Sequence, residues 1–163
     1  HLSIRRQRQM CIRDSSNTVL IGLQPRGIYL LEKLLNVFSK NHPDKKITSG
    51  NLDYSFFRDD FRRIEKLINI NPSKIEISIE NKKVVLIDDV LFTGRSIRAA
   101  MSSIDSYGRP ESIELMVLID RRFKRELPIE ANYFGAKIDT IDGDKVNVVW
   151  GKNKANNVVY IEK

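Results

Sequence analysis

The sequence predicts an α/β domain with a mainly parallel central sheet and helices on both faces. Three observations carry that prediction. Thr18–Leu23 (TVLIGL), Val84–Ile87 and Ile113–Ile119 are short, nearly bare apolar runs, as expected of strands covered on both sides. The first two are each followed by a segment with helical spacing of apolar residues, and alternating strands and helices pack as a parallel sheet. The length, 163 residues with 41% apolar content, fits one domain with a sizeable core.

Along the chain, Gln24-Pro25-Arg26-Gly27 reads as a turn, and Ile28, Leu31, Leu34, Leu35 and Phe38 then line one helix face. Asn41–Lys46 is a polar break. Leu52, Tyr54 and Phe56 alternate with polar residues and predict a strand with one wet face. Residues 58–74 are highly charged and compatible with either a short helix or a mobile excursion, and Ile75, Ile77 and Ile79 predict the return arm of a hairpin. After Val84–Ile87 and Asp88-Asp89, a helix is expected from about Arg95, with Ile97, Ala100, Met101 and Ile104 buried. Gly108 suits a left-handed stop, and Pro110 prevents continuation. The third core strand ends at Asp120, and short strands are expected at 132–134, 146–150 and 158–161.

The opening, His1–Ser15, stands apart as a non-family segment, with the domain running over 16–163. It holds Arg5, Arg6, Arg8 and Arg13 against Asp14, a local +3 within the chain's net +7. Lacking apolar period and turn chemistry, it reads as a spurious chain end (a fusion scar or a frameshift) in preference to an RNA-contacting arm. The single cysteine, Cys11, lies in it and takes no role; such cysteine usage fits a reducing cytoplasm. Two histidines and one cysteine exclude a His- or Cys-built metal site. No run of 18 apolar residues and no signal-type apolar stretch occurs, so membrane and secretory classes are not expected. The positive balance favours anionic partners such as phosphates, nucleotides or RNA.

The chemistry concentrates in Lys83–Met101, KVVLIDDVLFTGRSIRAAM. Ligands of parallel sheets bind beyond the carboxyl ends of the strands, where Asp88 and Asp89 fall. Thr93-Gly94-Arg95-Ser96 then opens a helix with two hydroxyls, a glycine and free amides, the makings of a phosphate cradle. Carboxylates are poor phosphate ligands, but they accept from a ribose diol and hold hydrated magnesium. A sugar phosphate satisfies both halves. Neither G-x-x-x-x-G-K-[ST] nor G-x-G-x-x-G occurs, which removes the P-loop and dinucleotide readings. The rival reading, a strand-ending Asp-Asp and a helix-capping Thr93, explains the parts but not the whole string.

That string resembles the phosphoribosyl pyrophosphate (PRPP) motif of type I phosphoribosyltransferases, and the chain is similar to the PyrR family within them. The supporting stretches are IGLQPRGI (21–28), YSFFRDDF (54–61), the PRPP string, Gly108-Arg109-Pro110 and LIDRRFKRELPI (118–129). The resemblance implies a type I phosphoribosyltransferase fold with a flexible flap, or hood, and uracil phosphoribosyltransferase activity joined to regulation of pyrimidine operon RNA. It implies that Asp88 and Asp89 hold the ribose hydroxyls and, indirectly, Mg2+. Val90, Leu91, Phe92, Thr93, Gly94, Arg95 and Ser96 complete the PRPP site, with the last four receiving the 5′-phosphate. Gln24, Pro25, Arg26 and Gly27 receive pyrophosphate, and Arg58, Asp59 and Asp60 lie on the flap. Asp88, Asp89, Arg26 and Arg58 are the implied catalytic set, and Asp120 and Arg121 the implied base contacts.

The basic cluster Arg122, Lys124 and Arg125 is a candidate RNA-binding patch, with a solvated loop or a subunit contact as the other readings. Implied partners are PRPP, uracil, UMP, pyrophosphate and pyrimidine operon leader RNA, in a homo-oligomer (dimer or tetramer). His42 reads as solvated, and Trp150 and Tyr160 as packing residues. Pro25 replaces the threonine of many relatives, and the loop after Asp120 is one residue longer than in well-known members. Two rival functions stand beside the leading one: an RNA-binding regulator with little catalysis, and a phosphoribosyltransferase for another nucleobase.

Overall fold

The computed structural model describes residues 17–57, 78–141, 143–151 and 157–162. Among them, five strands form one all-parallel sheet in the order β2-β1-β3-β4-β5. These are β1 (Thr18–Leu23), β2 (Thr48–Leu52), β3 (Lys83–Leu91), β4 (Ser112–Arg121) and β5 (Tyr133–Ile138). A separate antiparallel pair joins β6 (Lys145–Val149) to β7 (Val158–Glu162).

The two helices sort the core into two layers. Val19, Ile21 and Leu23 of β1 and Val84 and Leu86 of β3 face helix α2 (Arg95–Ile104), which contributes Ile97, Ala99, Ala100 and Ile104. The alternate residues, Leu20, Val85 and Ile87, face helix α1 (Gly27–Asn41) through Leu31, with Leu30, Leu34 and Leu35 at the margin. Strand alternation thus assigns each apolar residue to one helix, and β1 and β3, covered twice, have no polar face to show.

Several local expectations are corrected. The wet-faced strand expected at Leu52, Tyr54 and Phe56 ends at Leu52 instead. Asp53 Oδ1 accepts from the Ser55 amide at 2.8 Å and its hydroxyl at 2.5 Å, and this local turn opens a 3-10 segment, Ser55–Phe57. In α2, Met101 is exposed and Ala99 and Ser103 are buried, because the helix lays its small residues against the sheet. Gly108 does stop the helical run, after a 3-10 turn at Asp105–Tyr107, but at φ 129°, ψ 179°, a mirror-extended conformation and not a left-handed helical one. The strand ends also extend further: β3 runs through Asp88 and Asp89, and β4 through Asp120 and Arg121. The flap residues Arg58, Asp59 and Asp60, the hairpin arm at Ile75 and Ile77, and His1–Ser15 lie outside the described residues; Ile79 is fully buried.

Strand order reverses between β1 and β3, so the loops leaving their carboxyl ends diverge and open a crevice. Gly27 lets α1 begin inside that crevice. A Cβ there would lie 2.1 Å from the Ile87 carbonyl oxygen and 3.1 Å from Asp88 Cα, both backbone atoms. Gly27→Ala is therefore expected to cost about 1–3 kcal/mol, the scale of overpacking, read as a lower urea midpoint with an unchanged slope. A midpoint equal to wild type would show that α1 is free to back away from β3.

Candidate active site at the sheet's switch point

The crevice gathers three chain segments. Asp88 and Asp89, 7% and 5% exposed, sit on β3 one turn before the helix that follows it. Each carboxylate is held by the next amide: Asp88 Oδ1 accepts from the Asp89 N–H and Asp89 Oδ1 from the Val90 N–H, both at 2.8 Å. The remaining oxygen of Asp89, Oδ2, is buried without a hydrogen-bond partner. Arg26 Nη1 approaches it to 3.9 Å, near enough for charge attraction and too far for a hydrogen bond. Burial first, and then the charge of Asp89, push the Asp88 carboxyl well above the usual carboxylate range. Burial raises Asp89 too, against the pull of Arg26. Two desolvated acids with a bare inward-facing oxygen and one distant guanidinium are undercompensated, and a hydrated divalent cation or a sugar diol supplies what they lack.

Arg26 comes from the second segment, where Gln24 N donates to the Leu52 carbonyl at 2.9 Å and Gln24-Pro25 is a cis peptide. Pro25 and Arg26 are exposed above the buried Gly27. Because Arg26 is the residue before α1, its side chain stands at the positive end of that helix, a setting for anions.

The third segment is Phe92-Thr93-Gly94 leading into α2. Gly94 has φ 92° and no side chain to cap the helix that begins at Arg95. Among the described residues, no protein acceptor takes the Thr93 or Gly94 amide hydrogen. Thr93 Oγ1 accepts from the Arg95 amide at 3.3 Å. The predicted phosphate loop and the acid pair therefore share one crevice, as do Gln24–Gly27.

The residues after Asp120 differ most from expectation. Asp120 is buried and receives Arg125 Nη2 at 2.6 Å, with Lys137 Nζ 3.8 Å away. Arg121 is 5% exposed and turned inward: Nε and Nη2 donate to Thr140 Oγ1 at 3.0 and 2.8 Å, and Nη2 also to the Asp144 carbonyl at 2.9 Å. Its guanidinium stacks 3.9 Å from the Phe92 ring centroid, and burial lowers its proton affinity against the opposing Asp144 charge. Arg122 forms a double ion pair with Asp139, which raises the Arg122 value and lowers that of Asp139. Arg125 also donates to the Phe92 carbonyl. The basic cluster is thus partly neutralised by carboxylates of its own chain. Sequence reasoning did not single out Thr140, Asp139, Glu126 or Lys137, which carry no motif and matter only because β4 and β5 run side by side.

The carboxylate pair and the glycine-containing loop lie at the reversal point of a 2-1-3-4-5 sheet, where such folds bind ligands, and the class of protein is a phosphoribosyltransferase. The chain belongs to the phosphoribosyl transferase domain family, whose model matches residues 2–151. Within it, the chain is 41% identical over 147 residues to the Bifunctional protein PyrR of Caldicellulosiruptor bescii, covering 90% of this chain and 80% of that one. It is 39% identical over 150 residues to the Bifunctional protein PyrR of Bacillus subtilis, covering 90% and 81%. Solved structures of the same fold include a hypoxanthine phosphoribosyltransferase from Staphylococcus aureus (TM-score 0.59, 24% identity, 82% of this chain and 69% of that). A hypoxanthine-guanine-xanthine phosphoribosyltransferase also shares it (TM-score 0.62, 16% identity, 98% and 85%).

The acid pair makes a stability prediction with a definite sign. A raised folded value means that the folded chain keeps a proton the unfolded chain releases, so stability falls as pH rises from near 3.8 through the raised Asp88 value. Asp88→Asn keeps the Oδ1 acceptor and removes the charge. It should raise the ligand-free Tm at pH 7 by about 2–6 °C and flatten the decline across that window in calorimetry; a lower Tm at pH 7 would contradict it.

Proposed function

We propose that this protein is a magnesium-dependent uracil phosphoribosyltransferase, converting uracil and PRPP to UMP and pyrophosphate, and that it also regulates pyrimidine operon RNA in response to UMP. The observation that carries the catalytic part is the undercompensated Asp88–Asp89 pair one short loop from the open Thr93 and Gly94 amides. The similarity to PyrR proteins, which are named bifunctional, supports the choice of base and the second role. The single cysteine fits a cytoplasmic setting.

In this reading the Thr93–Ser96 loop seizes the 5′-phosphate and the carboxylates accept from the ribose 2′- and 3′-hydroxyls. Arg26 faces the departing pyrophosphate from the opposite lip. The C–O bond to pyrophosphate breaks while the ring nitrogen of uracil bonds to the same carbon from the other side and gives up its proton to water, and positive charge grows on the ribose in between. Asp88 and Asp89, already fixed by backbone amides, stabilise that charge without reorganising. When bound, Mg2+ neutralises pyrophosphate as a leaving group; Asp88 and Asp89 would hold it through water or the ribose. Arg58 lies outside the described residues; the part the resemblance implies for it is to help exclude water from PRPP. Asp120 and Arg121 shape the base pocket, Arg121 acting from behind Phe92.

For the RNA role, Arg122 and Lys124 remain the surface members of the basic cluster, and Arg125 is engaged inward. The partners are therefore PRPP, uracil, UMP, pyrophosphate and a pyrimidine operon leader RNA, with the protein acting as a homo-oligomer.

Asp89→Asn should lower kcat for UMP formation by about 10²–10³, the scale for losing one preorganised electrostatic group; a wild-type rate would remove the pair from the mechanism. No UMP from the wild-type protein at saturating PRPP, uracil and Mg2+ would defeat the catalytic reading. For regulation, a gel shift with leader RNA should show binding that strengthens with UMP and weakens with salt. Binding indifferent to UMP would leave the enzyme alone.

A further inference from the structure

The chain between β4 and β5 takes hold of the phosphate loop by its carbonyl groups. Glu126 and Leu127 amides both donate to the Thr93 carbonyl, at 3.1 and 3.2 Å, and Arg125 Nη1 donates to the Phe92 carbonyl. The other arm of the Arg125 guanidinium donates to Asp120 Oδ1 at 2.6 Å and to the Arg121 carbonyl at 3.3 Å. Leu127 and Ile129 side chains close the space behind Gly94, where an added Cβ would meet them at 3.3–3.5 Å.

Direction is what these bonds supply. In a trans peptide the carbonyl of one residue and the N–H of the next point opposite ways across one rigid plane. Fixing the Phe92 carbonyl toward Arg125 therefore fixes the Thr93 N–H away from it. Fixing the Thr93 carbonyl toward 126 and 127 does the same for the Gly94 N–H. Neither of these amides has a protein acceptor among the described residues.

We propose that Arg125 is a positioning residue: by bridging the Phe92 carbonyl and the Asp120 carboxylate it aims the Thr93 amide at the phosphate of a ribose 5-phosphate group, and it holds in place the segment whose Glu126 and Leu127 amides aim that of Gly94. This rests on the reading of Thr93–Ser96 as the phosphate loop. Asp120 anchors the bridge because it lies beside Leu91 in the β3–β4 register, at the root of the same loop. Arg125 touches no substrate in this role. Its side chain is 19% exposed, with its fork turned into the protein. A lysine would bring the charge but not the planar fork that reaches one acceptor in the loop after β3 and another on β4.

The test uses ribose 5-phosphate, a probe independent of the nucleobase, titrated into full-length wild type, Arg125→Lys and Arg125→Ala, with backbone amide NMR spectra of each. The expected result is a Kd raised about 10–100-fold in Arg125→Ala and at least about 5-fold in Arg125→Lys. The Thr93 and Gly94 amide signals should shift or broaden in the ligand-free variants while core signals such as Leu86 stay in place. Wild-type affinity in Arg125→Ala overturns the proposal. So does full restoration by lysine, which would mean that charge and not geometry is what counts. Displaced core signals in both variants would assign Arg125 to general stability and overturn it as well. A wild-type protein that does not bind ribose 5-phosphate would instead sink the phosphate-loop reading on which the proposal stands.

Discussion

Two adjacent carboxylates inside the rim of a parallel sheet are the constraint around which the rest of this molecule is arranged. Their burial is costly: desolvation opposes the charge of both, and the charge of Asp89 opposes that of Asp88. Backbone amides fix one oxygen of each, and Arg26 offers only a partial counter-charge from 3.9 Å. A cationic or hydroxyl-bearing partner would offset that cost on binding, which is how a preorganised site gains affinity and orientation.

The sheet supplies position and the loops supply reach. Reversal of strand order between β1 and β3 splays the connections apart, and Gly27 lets a helix start where a side chain would collide with β3. Parallel strands are usually joined by a helix, but the β4–β5 connection has none among its described residues. Polar anchoring takes its place: Arg122 to Asp139, Arg125 to Asp120 and Phe92, and the Thr93 carbonyl to two amides. A connection held by side chains can press against its neighbour in a way that a crossover helix, lying on the sheet face, cannot.

How much of this was legible beforehand follows from which forces are local. The three bare apolar runs and both helices were readable because burial on two sides leaves a periodic trace in the sequence. The acid pair and the Thr-Gly loop were readable because all their parts fall within seven residues. Strand β2 was misplaced since Thr48-Ser49-Gly50 carries no strand signal of its own; pairing with β1 makes it a strand. Met101 was misassigned because periodicity finds a stripe but not which edge of it turns inward, a choice made by the small residues Ala99 and Ser103. Arg121 and Arg125 look alike to Arg122 and Lys124 in a basic run. Only the arrival of Thr140, Asp144 and Phe92 from elsewhere in the chain separates inward arginines from surface ones.

The tip of the β4–β5 connection is built to tolerate an insertion. Phe123 is 59% exposed and Lys124 adopts φ 78°, a conformation rare for a side-chain-bearing residue, between Arg122 and Arg125, each of which is tethered. An extra residue there bulges outward, and both tethers keep their registers. The kink is therefore a place where the chain can accept a spacer or a reporter group while the anchors on either side stay in place.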